Sequence, residues 1–298
     1  MKSLAPAIFF CVALSAAGDA VQRKIAYEHR ENIFVADIDG THRKKIATGA
    51  SPEISPDGTR IAFNTVADSK TRPGPERHIA VADASNGKVT VLKDIPSDNC
   101  FGPVWSPDGS KLAFSIMTDK EWHLGVVNAD GSGFRFVKNA GLKSEAFGAS
   151  EWARVGKSIF CHDLENIYQI DLDGNILKKW ELSKILTDAS MNGGDRLSIS
   201  PDGKTLLMDV DCEAEHERKN WDGPQPAIEK FDLAGDKAVR IRGKDDFVWE
   251  PFWLTSDEFL CIMQKENENE PSIYRMSLDG KNAKLLVKHG RTPSVSAP

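Results

Sequence analysis

The sequence predicts an all-β chain, a six-bladed β-propeller of four-stranded antiparallel blades. Three observations carry that expectation. The tetrapeptide Ser-Pro-Asp-Gly occurs at 55–58, 106–109 and 200–203, each time just before a short apolar run. A second turn signal, Asp/Asn/Ser followed three or four residues on by Gly, ends at Gly40, Gly87, Gly131, Gly174, Gly235 and Gly280. These glycines recur about every 45 residues, the period of a four-stranded propeller blade. Finally, no long stretch after the first twenty residues has convincing helical periodicity, whereas short β-rich runs between Gly, Pro, Asn and Asp clusters are frequent.

Each repeat reads as strands a to d. Strand a is typified by Pro103-Val104-Trp105-Ser106 and strand b by Lys111-Leu112-Ala113-Phe114-Ser115. Strand c is typified by His123-Leu124-Gly125-Val126-Val127-Asn128 and strand d by Phe134-Arg135-Phe136-Val137. Pro presets φ, Asp bonds its own backbone and Gly supplies positive φ, so the repeated aspartates read as turn formers rather than chemistry. Two units are degenerate: Ala153-Arg154-Val155-Gly156 and Leu254-Thr255-Ser256-Asp257 stand where the tetrapeptide is expected. The first unit lacks its own strand a. Thr292-Pro293-Ser294-Val295-Ser296-Ala297-Pro298 resembles Ser51-Pro52-Glu53-Ile54-Ser55-Pro56, so the C-terminal segment is expected to supply that strand and close the ring. Closure removes exposed strand edges.

Residues 1–20 differ from the rest. Lys2 is followed by an apolar run from Leu4 to Ala17 and small residues near Ala20, the pattern of a cleavable secretory signal peptide, too short for a membrane span. The expectation is a protein delivered to the periplasm or outside the cell, with residues 21–298 forming one propeller. The formal net charge is −6, and no basic patch suggests nucleic acid or a membrane surface. Of the cysteines, Cys161 and Cys261 fall at a strand-b core position, and no spacing matches a zinc motif. The pairing of Cys100 and Cys212 is left open.

The a–b and c–d turns share one face of the disc; the b–c and d–a connections share the other. The second face carries the long, irregular loops, so the site is expected there, around the mouth of the central channel. The longest loop, Asp211 to Pro226, holds His216 and Trp221 among acidic residues. Strand-b ends bring His162, Asp163, Asp209 and Asp211 to that face. The channel-facing set of strand a includes Glu53 and Glu151, with Arg196 and Glu250 just above and Asn192, Asp195 and Trp249 in the d–a connections. Trp249 beside Glu250 suits a sugar face, since an indole offers apolar area with a polar handle. These groups point to a protein or glycan ligand. No cofactor is expected, though histidine and carboxylates at a channel mouth also suit a divalent metal.

Trp105-Ser106-Pro107-Asp108-Gly109 through Phe114, closed by Asn128-Ala129-Asp130-Gly131, resembles the propeller repeat of the TolB family, and the likeness extends over most of residues 23–298. That resemblance implies a six-bladed propeller, a periplasmic address and protein partners. TolB carries in addition an N-terminal α/β domain that residues 23–298 do not include. Prolyl oligopeptidase-like enzymes use related propellers with a hydrolase domain, but no Gly-x-Ser-x-Gly elbow occurs here. Oligogalacturonate lyases are propellers of the same general type with a metal held largely by histidines. Their likeness implies the alternative, a metal-assisted polysaccharide lyase or hydrolase drawing on His29, His162 and His216.

Overall fold

The structure, a computed structural model, describes residues 23–70, 74–138, 151–154, 157–212, 218, 221, 223–241 and 247–297. Six antiparallel sheets surround a central channel. From the channel outwards, the second blade is Ala50–Ile54, Arg60–Asp68, Pro75–Asp83 and Val89–Val91. The third is Cys100–Trp105, Lys111–Thr118, Glu121–Asn128 and Arg135–Val137. The fourth is Glu151–Trp152, Ser158–His162, Asn166–Asp171 and Ile176–Glu181. The sixth is Phe247–Trp253, Glu258–Gln264, Ser272–Ser277 and Ala283–Val287.

The first blade is built as expected from both ends of the chain. Arg291–Val295 pairs antiparallel with Lys24–His29, matching Val295 to Ile25 and Ser294 to Ala26. Asn32–Asp37 and Lys44–Thr48 complete that sheet. The fifth blade departs from the simple repeat. Its inner strand is split into Ala189–Ser190 and Leu197–Ile199, both paired to Thr205–Cys212, with Gln225–Asp232 and Val239–Arg240 outside. Between the two pieces the chain leaves the sheet, and this excursion carries Asn192, Asp195 and Arg196.

The recurrent turns are spent on structure. In the second copy, Asp108 Oδ1 accepts hydrogen bonds from the Ser106 hydroxyl at 2.6 Å, the Ser110 N–H at 3.0 Å and the Ser110 hydroxyl at 2.8 Å. These donors, Ser106 first, hold its carboxyl down at about 2. Gly109 follows at φ +67°, where a Cβ would be strained, and its N–H closes the turn on the Ser106 carbonyl at 2.8 Å.

The blades pack through six apolar clusters among the described residues, most of them spanning neighbouring sheets. Phe63, Phe114, Phe160, Phe231 and Phe259, all within the strands, are fully buried, each worth roughly 2 kcal/mol of burial. The one-turn helix Leu182–Ile185 seals the cluster of the fourth and fifth blades with Leu182 and Ile185. The four described cysteines are buried free thiols, so Cys100 and Cys212 are not paired with each other.

Inner strands are also stitched by polar contacts at two levels. Near the turn face, indole N–H groups reach back to the preceding blade: Trp105 to the Glu53 carbonyl (2.9 Å), Trp152 to Val104 (3.1 Å) and Trp253 to Ser198 (2.9 Å). Near the loop face, the residue that follows the apolar triplet of strand b reaches forward. Asn64 accepts from the Gly102 N–H at 3.1 Å and donates to the Cys100 carbonyl at 2.9 Å. The Ser51 N–H points at Glu28 Oε2 at 3.4 Å, His162 Nε2 lies 3.0 Å from the Asp195 carbonyl, and Asp209 Oδ2 accepts from the Glu250 N–H at 3.2 Å. The backbone these side chains meet is bulged. Ser51, Gly102, Glu250 and Thr292, each followed by proline, all have positive φ, and the strand register shifts beside them.

Removing residues 290–298 takes away the inner strand of the first blade and leaves Lys24–His29 unpaired on its inner side. A sharp drop in melting temperature, or loss of soluble protein, is the expected outcome; a superimposable melting curve would contradict ring closure.

Candidate functional site

The channel is bridged near its middle. Arg196, projected by the excursion of the fifth blade, reaches to within 3.4 Å of Glu53 in the second blade, on the opposite side of the ring. Glu53 and Glu151 are both buried. Arg196 attracts Glu53, Glu151 and Glu250 together. One cation therefore serves carboxyls from three blades. Glu151 also lies 3.6 Å from Arg154.

The carboxyl groups outnumber the cations, and their titration reflects it. Burial pushes Glu53 up to about 8, with Glu151 adding repulsion and Arg196 opposing. Burial pushes Asp195 up to about 7. Asp209 is raised well above the usual range by burial, then by Asp195 and Glu250, while burial also raises Glu250 and Glu28. His162 is held neutral by burial.

Of the sequence-selected residues, Asn192, Asp195, Asp211, Trp221 and Trp249 lie at the loop end. Asn192 ties that end together: its side-chain amide donates to Asp195 Oδ1 at 2.7 Å and Asp211 Oδ2 at 2.8 Å, and its backbone N–H to Asp195 Oδ2 at 2.6 Å. Trp221 and Trp249, both half-buried, lie 5.6 Å apart between ring centroids. Trp221 meets Phe247 edge-on at 5.3 Å, and the Arg218 guanidinium lies 3.7 Å from the centre of the Phe247 ring. The Arg218 side chain also donates to the Gln264 carbonyl at 2.9 Å, so the described part of the long loop is fastened onto the sixth blade.

Other selected residues serve as framework. His162 is fully buried with Nε2 against the Asp195 carbonyl. Asp163 holds the b–c hairpin, accepting from the Asn166 N–H at 2.8 Å and the Tyr168 hydroxyl at 2.7 Å. His29 Nδ1 lies 2.7 Å from the His289 carbonyl. His216 lies outside the described residues. Among those that are described, no three His, Cys, Asp or Glu side chains converge so as to hold a metal.

Two features were not selected from the sequence. Asn64 and Ser115 share the strand-b register of Glu28, His162 and Asp209, and the signal was present: a polar residue directly after the apolar triplet in five of six repeats. The second feature is at the turn face. There the channel widens into a cavity of about 290 Å³, rimmed by Pro56, Pro107 and Pro201 and reached by Arg23 and Arg154, with Glu53 also in its lining.

No family model matches the chain, and no curated protein matches it. Solved structures do. TolB from Acinetobacter baumannii superposes with a TM-score of 0.69 at 18% identity, covering 92% of this chain and 67% of that one. A putative TolB from Agrobacterium tumefaciens gives 0.63 at 16% identity, covering 90% of both chains. An oligogalacturonate lyase from Vibrio parahaemolyticus gives 0.55 at 17% identity, covering 84% and 73%. At these identities the likeness is one of fold. The protein is a six-bladed β-propeller of TolB-like architecture.

Two outcomes follow from the channel chemistry. Replacing Arg196 by Gln leaves the buried Glu53, Glu151 and Glu250 without their shared cation and should cost about 1–3 kcal/mol in urea unfolding; an unchanged midpoint would rule out the bridge as a structural element. Between about 4.5 and 8 the folded chain retains a proton on Glu53 that the unfolded chain has released, so this carboxyl weakens the fold as pH rises through that window. His162 acts in the opposite sense only below its ordinary 6.5. The melting temperature is therefore expected to fall from pH 6.5 to pH 8, and Glu53→Gln should flatten that fall. Equal slopes in wild type and variant would be inconsistent with a protonated Glu53.

Proposed function

We propose that the protein is an exported binding propeller that takes a protein or glycan ligand at the loop end of its channel. The observation that carries this reading is the half-buried Trp221–Trp249 pair, backed by Phe247 and Arg218 and sharing its end of the channel with Asn192, Asp211 and Glu250. Indole rings supply contact area at low entropic cost, and hydrogen-bonding groups beside them fix orientation. A binding role is also what the TolB-like fold suggests, although fold alone does not fix function. Export is supported by the signal-like pattern of residues 1–20, and finding Val21 at the N-terminus of the mature protein would establish it. No described helix is long and apolar enough to cross a membrane.

Binding is favoured over metal-assisted cleavage because the candidate histidine His162 is consumed by an inter-blade contact and has no access to solvent. Screening the mature protein against glycan arrays and envelope proteins identifies the ligand class. Once a ligand is in hand, Trp221→Ala and Trp249→Ala should each weaken binding by about 2 kcal/mol or more with little change in melting temperature. Full affinity in the double variant would move the interface away from this end.

A further inference from the structure

The cavity at the turn face is chemically unlike the loop end. Its walls include Ile54, Phe252, Val295 and the indoles of Trp105 and Trp253. Both indole N–H groups are already committed to backbone carbonyls, so these side chains offer the cavity only apolar surface. The rim prolines have no N–H to offer. Glu53, which also lines this cavity, is engaged by Arg196 at 3.4 Å.

The remaining charged groups are two arginines. Arg23 is pinned by its Nε to the Ser296 carbonyl at 3.1 Å and by Nη1 to the Leu254 carbonyl at 2.7 Å. Arg154 is held more lightly. Its Nη2 donates to the Ile199 carbonyl at 3.1 Å and lies 3.6 Å from Glu151, while Nε and Nη1 have no partner among the described residues. Arg154 also breaks the repeat, standing where three other units place proline. The turn does not need a cation at this position, since Pro56, Pro107 and Pro201 build the same corner without one.

We propose that this cavity is a second binding site, separate from the loop end, for a small free organic acid with one carboxylate on an apolar body. The carboxylate pairs with Nε and Nη1 of Arg154, and the apolar body lies against Trp105, Trp253 and Phe252. Guanidinium suits this task because its planar donors match a carboxylate. The size sets the ligand class: about 290 Å³ is the small end of ligand pockets and room for about ten water molecules. A medium-chain or compact aromatic acid fits that volume.

Titration calorimetry of the mature protein with octanoate tests the assignment, with octanamide as the uncharged control. Saturable heat with octanoate is expected, and the amide should bind about tenfold more weakly or not at all. Arg154→Gln should bring octanoate down to the level of the amide. Because Arg154 also faces Glu151, a second variant guards against loss of folding. Ala297→Trp fills the cavity from an exposed position on the rim and should abolish octanoate binding while leaving the melting temperature and any loop-end ligand unaffected. Absence of octanoate binding, equal binding of the amide, or full binding in either variant would overturn the proposal. Tighter binding of a short peptide ending in leucine than of octanoate would overturn its assignment to a free acid.

Discussion

Everything in this molecule depends on how each inner strand is fixed to its neighbours. A propeller blade contributes only one short strand to the channel wall, and that strand cannot hydrogen-bond laterally to the next blade. The chain solves this with side chains at two heights. Indoles of Trp105, Trp152 and Trp253 donate backwards to strand carbonyls near the turn face. Polar residues at one strand-b register reach forwards near the loop face: Glu28, Asn64, His162 and Asp209. Backbone groups left unpaired by bulges at Ser51, Gly102 and Glu250 are thereby satisfied, as buried polar groups must be.

This arrangement redefines several residues that look chemical in isolation. A buried histidine next to an aspartate, a glutamate at a channel mouth and an asparagine in a strand all carry catalytic associations. Here they are the same structural device in different blades. Where the sixth blade has apolar Ile262 at that register, Glu250 takes over by accepting from the Thr292 N–H at 2.8 Å. The substitution of one polar group for another across the closing interface shows that satisfying the bulged strand is the constraint, not the identity of the residue.

The channel itself is governed by charge imbalance. Carboxyls from five blades share a small number of guanidinium groups, and the system resolves this by raising proton affinity at Glu53, Asp195 and Asp209 rather than by keeping every group ionised. Arg196 reaches across from the fifth blade to Glu53 of the second. The loop end is polar and aromatic; the turn end is apolar with guanidinium at its rim. Two surfaces of such different chemistry are suited to different ligands.

The sequence by itself determined the blade number, the strand order, the structural role of the repeated aspartates and the closure of the ring by 291–295, because each of these is written locally in turn chemistry and period. It also placed Trp221, Trp249, Asn192 and Asp211 at one end, since strand direction alone assigns loops to faces. Only the tertiary structure decided that His162 and Asp163 are framework, that Arg196 reaches Glu53 over 143 residues of chain, and that the turn end holds a cavity. Those outcomes rest on contacts between blades, and the split inner strand of the fifth blade, which aims Arg196, breaks the very period from which the rest was read. Side-chain partners across a ring are set by the closed geometry, and no local pattern encodes them.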